Sequence, residues 1–204
     1  MTRDPRTRIP IGISSCLLGE AVRYDGGHKR DAFLVDALGE YFEYLPFCPE
    51  VAIGMGTPRP PIRLVGNPSR PRAVGVEDHT VDVTEEIIAY AQSVVATSPP
   101  ISGYVFKGGS PSCGMAGVKV YAGKLAQRGT ASGLYAGVVM RSLPVLPVEE
   151  EARLRDPVLL KSFVERVLVY DRWRQLCERE TSAAGLEEFI ADLLKTPDPR
   201  SPTS

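Results

Sequence analysis

Three of the four cysteines in this 204-residue chain sit in turn-forming contexts, far apart in sequence. Cys16 lies in Ser14-Ser15-Cys16-Leu17-Leu18-Gly19, Cys48 in Phe47-Cys48-Pro49-Glu50, and Cys113 in Gly108-Gly109-Ser110-Pro111-Ser112-Cys113-Gly114. A thiolate is a nucleophile and a soft metal ligand. Each of the three follows an apolar run that reads as a buried strand, and strand ends of an open α/β sheet converge on one crevice. Three thiols meeting there would leave a bound metal group with one open coordination position. By analogy with zinc, an open position marks a catalytic centre rather than a structural one. No Cys-x-x-Cys pair is present, which weakens a structural zinc site without removing it. An iron–sulfur cubane suits the ligand set. A buried-core reading also stands, because lone cysteines are among the most buried residues, although core cysteines usually sit inside apolar runs rather than polar turns. Cys177 is a possible fourth ligand, but beside Trp173 and Leu176 it reads better as packing.

Other reactive groups cluster around these thiols in the sequence. Glu50 stands two residues beyond Cys48, with Pro49 restricting the backbone between them. A carboxylate held near an anionic metal group and away from water suits general acid/base work. Ser110 and Ser112 offer hydroxyls in a glycine-rich loop whose amides can approach a ligand closely. Arg23, Tyr24, Asp25, His28, Lys29 and Lys107 form a further polar set that could hold a phosphate, or simply be a solvated loop. Arg59 and Arg63 either touch a ligand or neutralise carboxylates. Gly54 to Pro60 lacks the Gly-Lys-Ser/Thr ending of a phosphate loop.

These residues need a scaffold. Ile9 to Ile13 reads as a first strand running into Cys16, followed by a polar loop and a helix with Asp31 as N-cap and Phe33, Leu34, Ala37, Leu38, Tyr41 and Phe42 at helical spacing. Tyr44 to Phe47 is a short strand ending at Cys48, so the order resembles a βαβ unit. Ile62–Val65 and Arg72–Val76 read as two more strands. Thr84 is the expected cap of a helix carrying Ile87, Ile88, Ala91, Val94 and Val95. Gly103 to Phe106 delivers the chain to Cys113, and Leu134 to Met140 is the expected last strand. The fold class that follows is α/β, a Rossmann-like open sheet with flanking helices and a short C-terminal helical extension. Residues 9–142 form the main domain and the Pro- and Glu-rich residues 143–155 a linker. Residues 156–195 form the extension, opened by Asp156 and Pro157, with a second helix bearing Leu186, Phe189, Ile190, Leu193 and Leu194. The Pro/Ser-rich tail 196–204 is expected to be disordered.

Bulk properties narrow the partners. A formal net charge of -1 makes no case for binding a nucleic-acid polymer. No apolar stretch is long enough to span a bilayer. The arginines before Pro10 have no apolar run behind them, unlike a secretory signal. Four cysteines in a chain with 43% hydrophobic residues are expected to be reduced thiols in a cytoplasmic protein. Oligomeric state is open.

At these residues the chain resembles the TudS family of thiouracil desulfidases. The resemblance rests on Ser15-Cys16-Leu17-Leu18-Gly19, on Val22 to Lys29, on Cys48-Pro49-Glu50 and on Lys107 to Gly114, in that order. It implies a [4Fe-4S] cluster held by Cys16, Cys48 and Cys113, with one iron free to take the sulfur of a thiolated pyrimidine or its nucleotide. It implies a non-redox hydrolysis to uracil, or uridine nucleotide, and hydrogen sulfide. The family's catalytic carboxylate and serine fall on Glu50 and Ser110. Arg23, Tyr24, His28, Lys29, Lys107 and Ser112 are then expected to contact the substrate. A sulfur transferase running the opposite way, and a non-enzymatic zinc- or cluster-binding module, are the alternatives.

Overall fold

The computed structural model describes residues 8–122, 126–178, 185–187 and 189–191. The N-terminal half of the first sheet forms as the apolar runs predict. Strand β1 (Ile9–Ser14) pairs in parallel with β2 (Phe42–Phe47). Between them Asp31 Oδ1 accepts the Leu34 N–H at 3.1 Å, the expected cap. The helix it opens is short and irregular: a π turn at Phe33–Ala37 and a 3₁₀ turn at Leu38–Glu40. Helix α1 (Pro49–Ala52) is a single turn after β2. Strand β3 (Ile62–Asn67) pairs antiparallel with β4 (Arg70–Gly75). Helix α2 (Thr84–Thr97) follows. Its start is held by Asp82 rather than Thr84: Asp82 Oδ1 accepts the Thr84 N–H at 3.0 Å, while Thr84 Oγ1 accepts the Ala73 N–H at 2.9 Å. The preceding aspartate takes the first orphan amide, and the threonine is left to tie the helix to β4.

Strand β5 (Tyr104–Phe106) lies beside β1. The chain then makes a hairpin that the sequence reading missed, β6 (Val118–Ala122) and β7 (Ala126–Ala131). Leu134 to Met140, expected as a strand, is instead part of helix α3 (Leu134–Ser142). Leu134 through Val139 are all buried, so the run shows no polar face, and periodicity cannot separate such a helix from a core strand. Its N-terminal amides settle the matter: Leu134 N–H donates to Pro111 O at 3.0 Å and Ala136 N–H to Ser112 O at 3.1 Å. Residues 143–155, expected as a linker, contain β8 (Val148–Glu150), which extends the sheet beside β5. Helix α4 (Pro157–Glu178) follows, with Asp156 Oδ1 accepting the Val158 N–H at 2.8 Å. Residues 185–187 and 189–191 are helical, and Phe189 packs its ring 5.6 Å from that of Trp173. Leu193, Leu194 and the tail 196–204 lie outside the described residues.

Two sheets result: an all-parallel one in the order β2-β1-β5-β8, and a mixed one in the order β4-β3-β6-β7. The first is Rossmann-like, with helices over both faces, and the α/β expectation holds; the second was unforeseen. Alternation along β5 sends Tyr104 and Phe106 into one core and Val105 into another. The first core joins Leu64 and Val120 of the mixed sheet to α2 and α3. The second joins Ile11, Ile13 and Val105 to Phe163 and Val167 of α4, both fully buried. The C-terminal helix is therefore a layer of the fold, filling a face that would otherwise be open. Phe163→Ala is expected to cost about 3–5 kcal/mol of stability, readable as a lower urea midpoint. Among the described residues no helix is long and apolar enough to cross a membrane.

Candidate active site

The carboxyl ends of β2, β1 and β5 are neighbours, and each delivers one cysteine. Cys16 sits in a 3₁₀ turn, Ser15–Leu18, immediately after β1. Its carbonyl accepts the Lys29 N–H at 2.8 Å, and Gly19 closes the turn at φ +99°. Cys48 is the last residue before α1, and its carbonyl accepts the Ala52 N–H at 3.0 Å. Cys113 rides the loop after β5. Ser110 Oγ accepts the N–H groups of Ser112 (3.2 Å) and Cys113 (3.0 Å), which curls that loop into a tight turn.

All three cysteines line one cavity of about 280 Å³, together with Glu50, Ser110, Arg23, Tyr24, Lys107 and Arg59. Each is a free thiol, as is Cys177, which is exposed on α4 rather than packed as the sequence suggested and does not line the cavity. Burial pushes the Cys16 thiol up to about 11, with Lys107 opposing and Cys48 adding to the rise. Burial also raises Cys48, helped by Glu50. It raises Cys113 well above the ordinary thiol range, against a hydrogen bond from Ser14 and with contributions from Glu50, Cys48 and Cys16. The three thiols thus feel one another across the cavity. They hold their protons near neutral pH, so a metal group that takes them must displace those protons. Among the described residues no three His, Cys, Asp or Glu side chains converge closely enough for a single metal ion.

Glu50 is held on both sides. Arg59 donates to its Oε2 from Nε at 2.9 Å and Nη2 at 2.7 Å, and Ser112 donates to its Oε1 at 2.8 Å. Ser112 is fully buried, so its hydroxyl serves the carboxylate rather than the cavity. The sequence left Arg59 either touching a ligand or neutralising a carboxylate; folding of the loop at 54–61 back over Glu50 gives it to that carboxylate. Lys107 pairs with Glu151 and donates to Gly108 O at 2.9 Å. Arg23 pairs with Asp25 at 3.4 Å and lies over the Tyr24 ring, which is 43% exposed at the cavity mouth. His28 and Lys29 are exposed and do not line the cavity; His28 Nδ1 accepts the Arg30 N–H at 3.2 Å.

The Cys113 loop is clasped from elements that the sequence reading did not connect to it. Glu151 Oε2 accepts the Gly108 N–H at 2.8 Å, and Glu150 Oε1 accepts the Met115 N–H at 2.7 Å. From the other side, Gly133 packs so closely that a Cβ there would lie 2.5 Å from the Ser112 carbonyl oxygen. Backbone cannot yield as a side chain does. Gly133→Ala is expected to cost about 1–3 kcal/mol in overpacking, seen as a lower melting temperature, and to raise the accessibility of Cys113 to a thiol reagent.

A parallel α/β sheet with three thiols at the ends of adjacent strands defines the class. Residues 11–151 match the 2-thiouracil desulfurase family, and the chain belongs to it. The chain is 33% identical over 110 residues to the uncharacterized protein YbbK of Bacillus subtilis (strain 168), covering 51% of this chain and 72% of that one. It is also similar to the solved structure of a [4Fe-4S]-dependent thiouracil desulfidase, TudS. That likeness has a TM-score of 0.54 and 34% identity over 76% of this chain and 99% of the other.

Proposed function

We propose that this protein is a [4Fe-4S]-dependent desulfidase that hydrolyses a thiolated uracil, or its nucleotide, to the oxo compound and hydrogen sulfide. The observation that carries it is the shared cavity: Cys16, Cys48 and Cys113 line the same space as Glu50 and Ser110. The donor set fits the cluster. Three thiols that line one space beside Glu50 are the soft donors that iron–sulfur ligation uses. A cavity of about 280 Å³ suits such a group and a single ring, not a polymer. Four free thiols suit the reducing cytosol.

When bound, the cluster would supply a Lewis-acidic iron corner without a protein ligand, open to a thiocarbonyl sulfur. The chain's own residues supply the rest. An ionised carboxylate has about four lone-pair sites. Arg59 engages Oε2 and Ser112 takes one site on Oε1, so the free lone pair of Oε1 is the one left to accept a proton from water. That water adds to the ring carbon bearing sulfur. Ser110 Oγ already accepts two amide N–H groups, so it presents its own proton and can hydrogen-bond to the departing sulfur. Tyr24 offers a ring face at the mouth, with Arg23 behind it. One water is consumed for each thiocarbonyl, and no electron is gained or lost.

The test is anaerobic reconstitution with iron and sulfide, then a sulfide-release assay on 2- and 4-thiouracil and the thiolated nucleotides, without reductant. One sulfide per oxo product supports the reading. A protein that releases none from any of them, or that instead builds the thiolated nucleotide from sulfide and an activated nucleotide, removes it.

A further inference from the structure

Three cations line the cavity, and Arg59 is the least exposed: its side chain is 3% accessible, against 22% for Arg23 and 21% for Lys107. Its guanidinium is committed on two sides. Nε and Nη2 both reach Oε2 of Glu50, while Nη1 donates to Val22 O at 2.9 Å and Gly56 O at 2.8 Å. The Arg59 N–H donates to Tyr24 O at 2.8 Å. The carbonyls fix the guanidinium plane against the loop at 22–24, and that plane in turn fixes the carboxylate.

We infer that Arg59 is the positioning residue of the reaction: by engaging Oε2 it turns the free lone pair of Glu50 Oε1 toward the water. This rests on the desulfidase reading above. The geometry requires a planar fork. An ammonium is a point charge and cannot hold one oxygen with two N–H groups while bonding two carbonyls behind it. Ser112 completes the device from the opposite side, so the carboxylate cannot rotate without breaking a hydrogen bond at 2.7–2.9 Å. Water placed wrongly at the base loses the advantage of orientation while substrate still binds. The consequence is a loss in kcat rather than in KM.

The test is a cycle of Arg59→Gln, Glu50→Gln and the double variant, with Arg59→Lys alongside, in cluster-loaded full-length protein. Iron content and the visible spectrum are measured before kcat and KM. Arg59→Gln is expected to keep its iron, hold KM within about twofold and lose about 100-fold in kcat, the scale of one general base. In the Glu50→Gln background the same change should add less than about threefold, because the two act as one unit. Arg59→Lys should lose about 10-fold, since charge survives and the fork does not. The inference is overturned by wild-type kcat in Arg59→Gln, by losses that multiply independently with Glu50→Gln, or by a change in KM alone. Loss of iron from Arg59→Gln shifts the cycle to Arg59→Lys; loss from both overturns the inference, since Arg59 would then be a strut of the cluster site. A wild-type protein that releases no sulfide fails the parent reading instead, and the inference falls with it.

Discussion

Cys113→Ala is expected to yield a folded protein that retains no iron–sulfur cluster and releases no sulfide above background. The fold should survive because the cysteine side chain is small and its loop is held by other groups. Ser110 Oγ curls the turn, Glu150 and Glu151 clasp its flanks, and the Pro111 and Ser112 carbonyls are bonded to α3. None of these contacts uses the thiol. The site should fail because the two remaining thiols, just past the ends of the paired strands β1 and β2, leave the β5 side of the cavity without a ligand. A thiolate lost from the set has no replacement thiol in the cavity lining, because Cys177 is not part of it. Cys16→Ala and Cys48→Ala should behave alike, and Cys177→Ala should match the wild type. Iron per chain and the visible absorption of reconstituted protein check this. Full iron retention in Cys113→Ala would break the ligand assignment.

Glu50→Gln is expected to separate binding from turnover. Glutamine has the same shape, so the side chain should still bridge Arg59 and Ser112, and the three thiols are untouched. Iron content should equal that of the wild type. An amide cannot take the proton from water, so kcat should fall by about 10²- to 10⁴-fold, with KM little changed. The residual rate would come from the polarised thiocarbonyl and from Ser110. Equal activity in the two proteins would remove Glu50 as the base and leave its pairing with Arg59 purely structural.

The thiols were legible in the sequence because each sits where an apolar run meets turn residues, and strand ends are where an α/β sheet collects its chemistry. Ile9–Ile13, Tyr44–Phe47 and Gly103–Phe106 were legible for the same reason. The run from Leu134 to Met140 was not. Leu134 through Val139 are all buried, and the first amides of the helix are held by the carbonyls of Pro111 and Ser112. Those partners lie more than twenty residues away in sequence. Strand β8 was hidden by composition: Val148–Glu150 reads as an acidic connector, yet Glu150 and its neighbour Glu151 turn back to hold the Cys113 loop. Ser112 looked like a contact for substrate because it offers a hydroxyl in the glycine-rich loop; register within the turn instead buries it against Glu50. Arg59 sits nine residues from Glu50, and their pairing needs the loop at 54–61 to fold back, which no local pattern announces. Local chemistry could be read directly, whereas contacts made by loop closure could not.

The central claim is a three-thiolate cluster with one iron open to the sulfur of the substrate. Mössbauer spectroscopy on protein reconstituted with labelled iron, recorded with and without a thiolated uracil, tests it most directly. The account predicts a four-iron cluster per chain in which one iron changes its spectrum on adding the thiolated base, and none changes with uracil lacking sulfur. Four irons that ignore the thiolated base, or a chain that takes up zinc and no cluster, would contradict it.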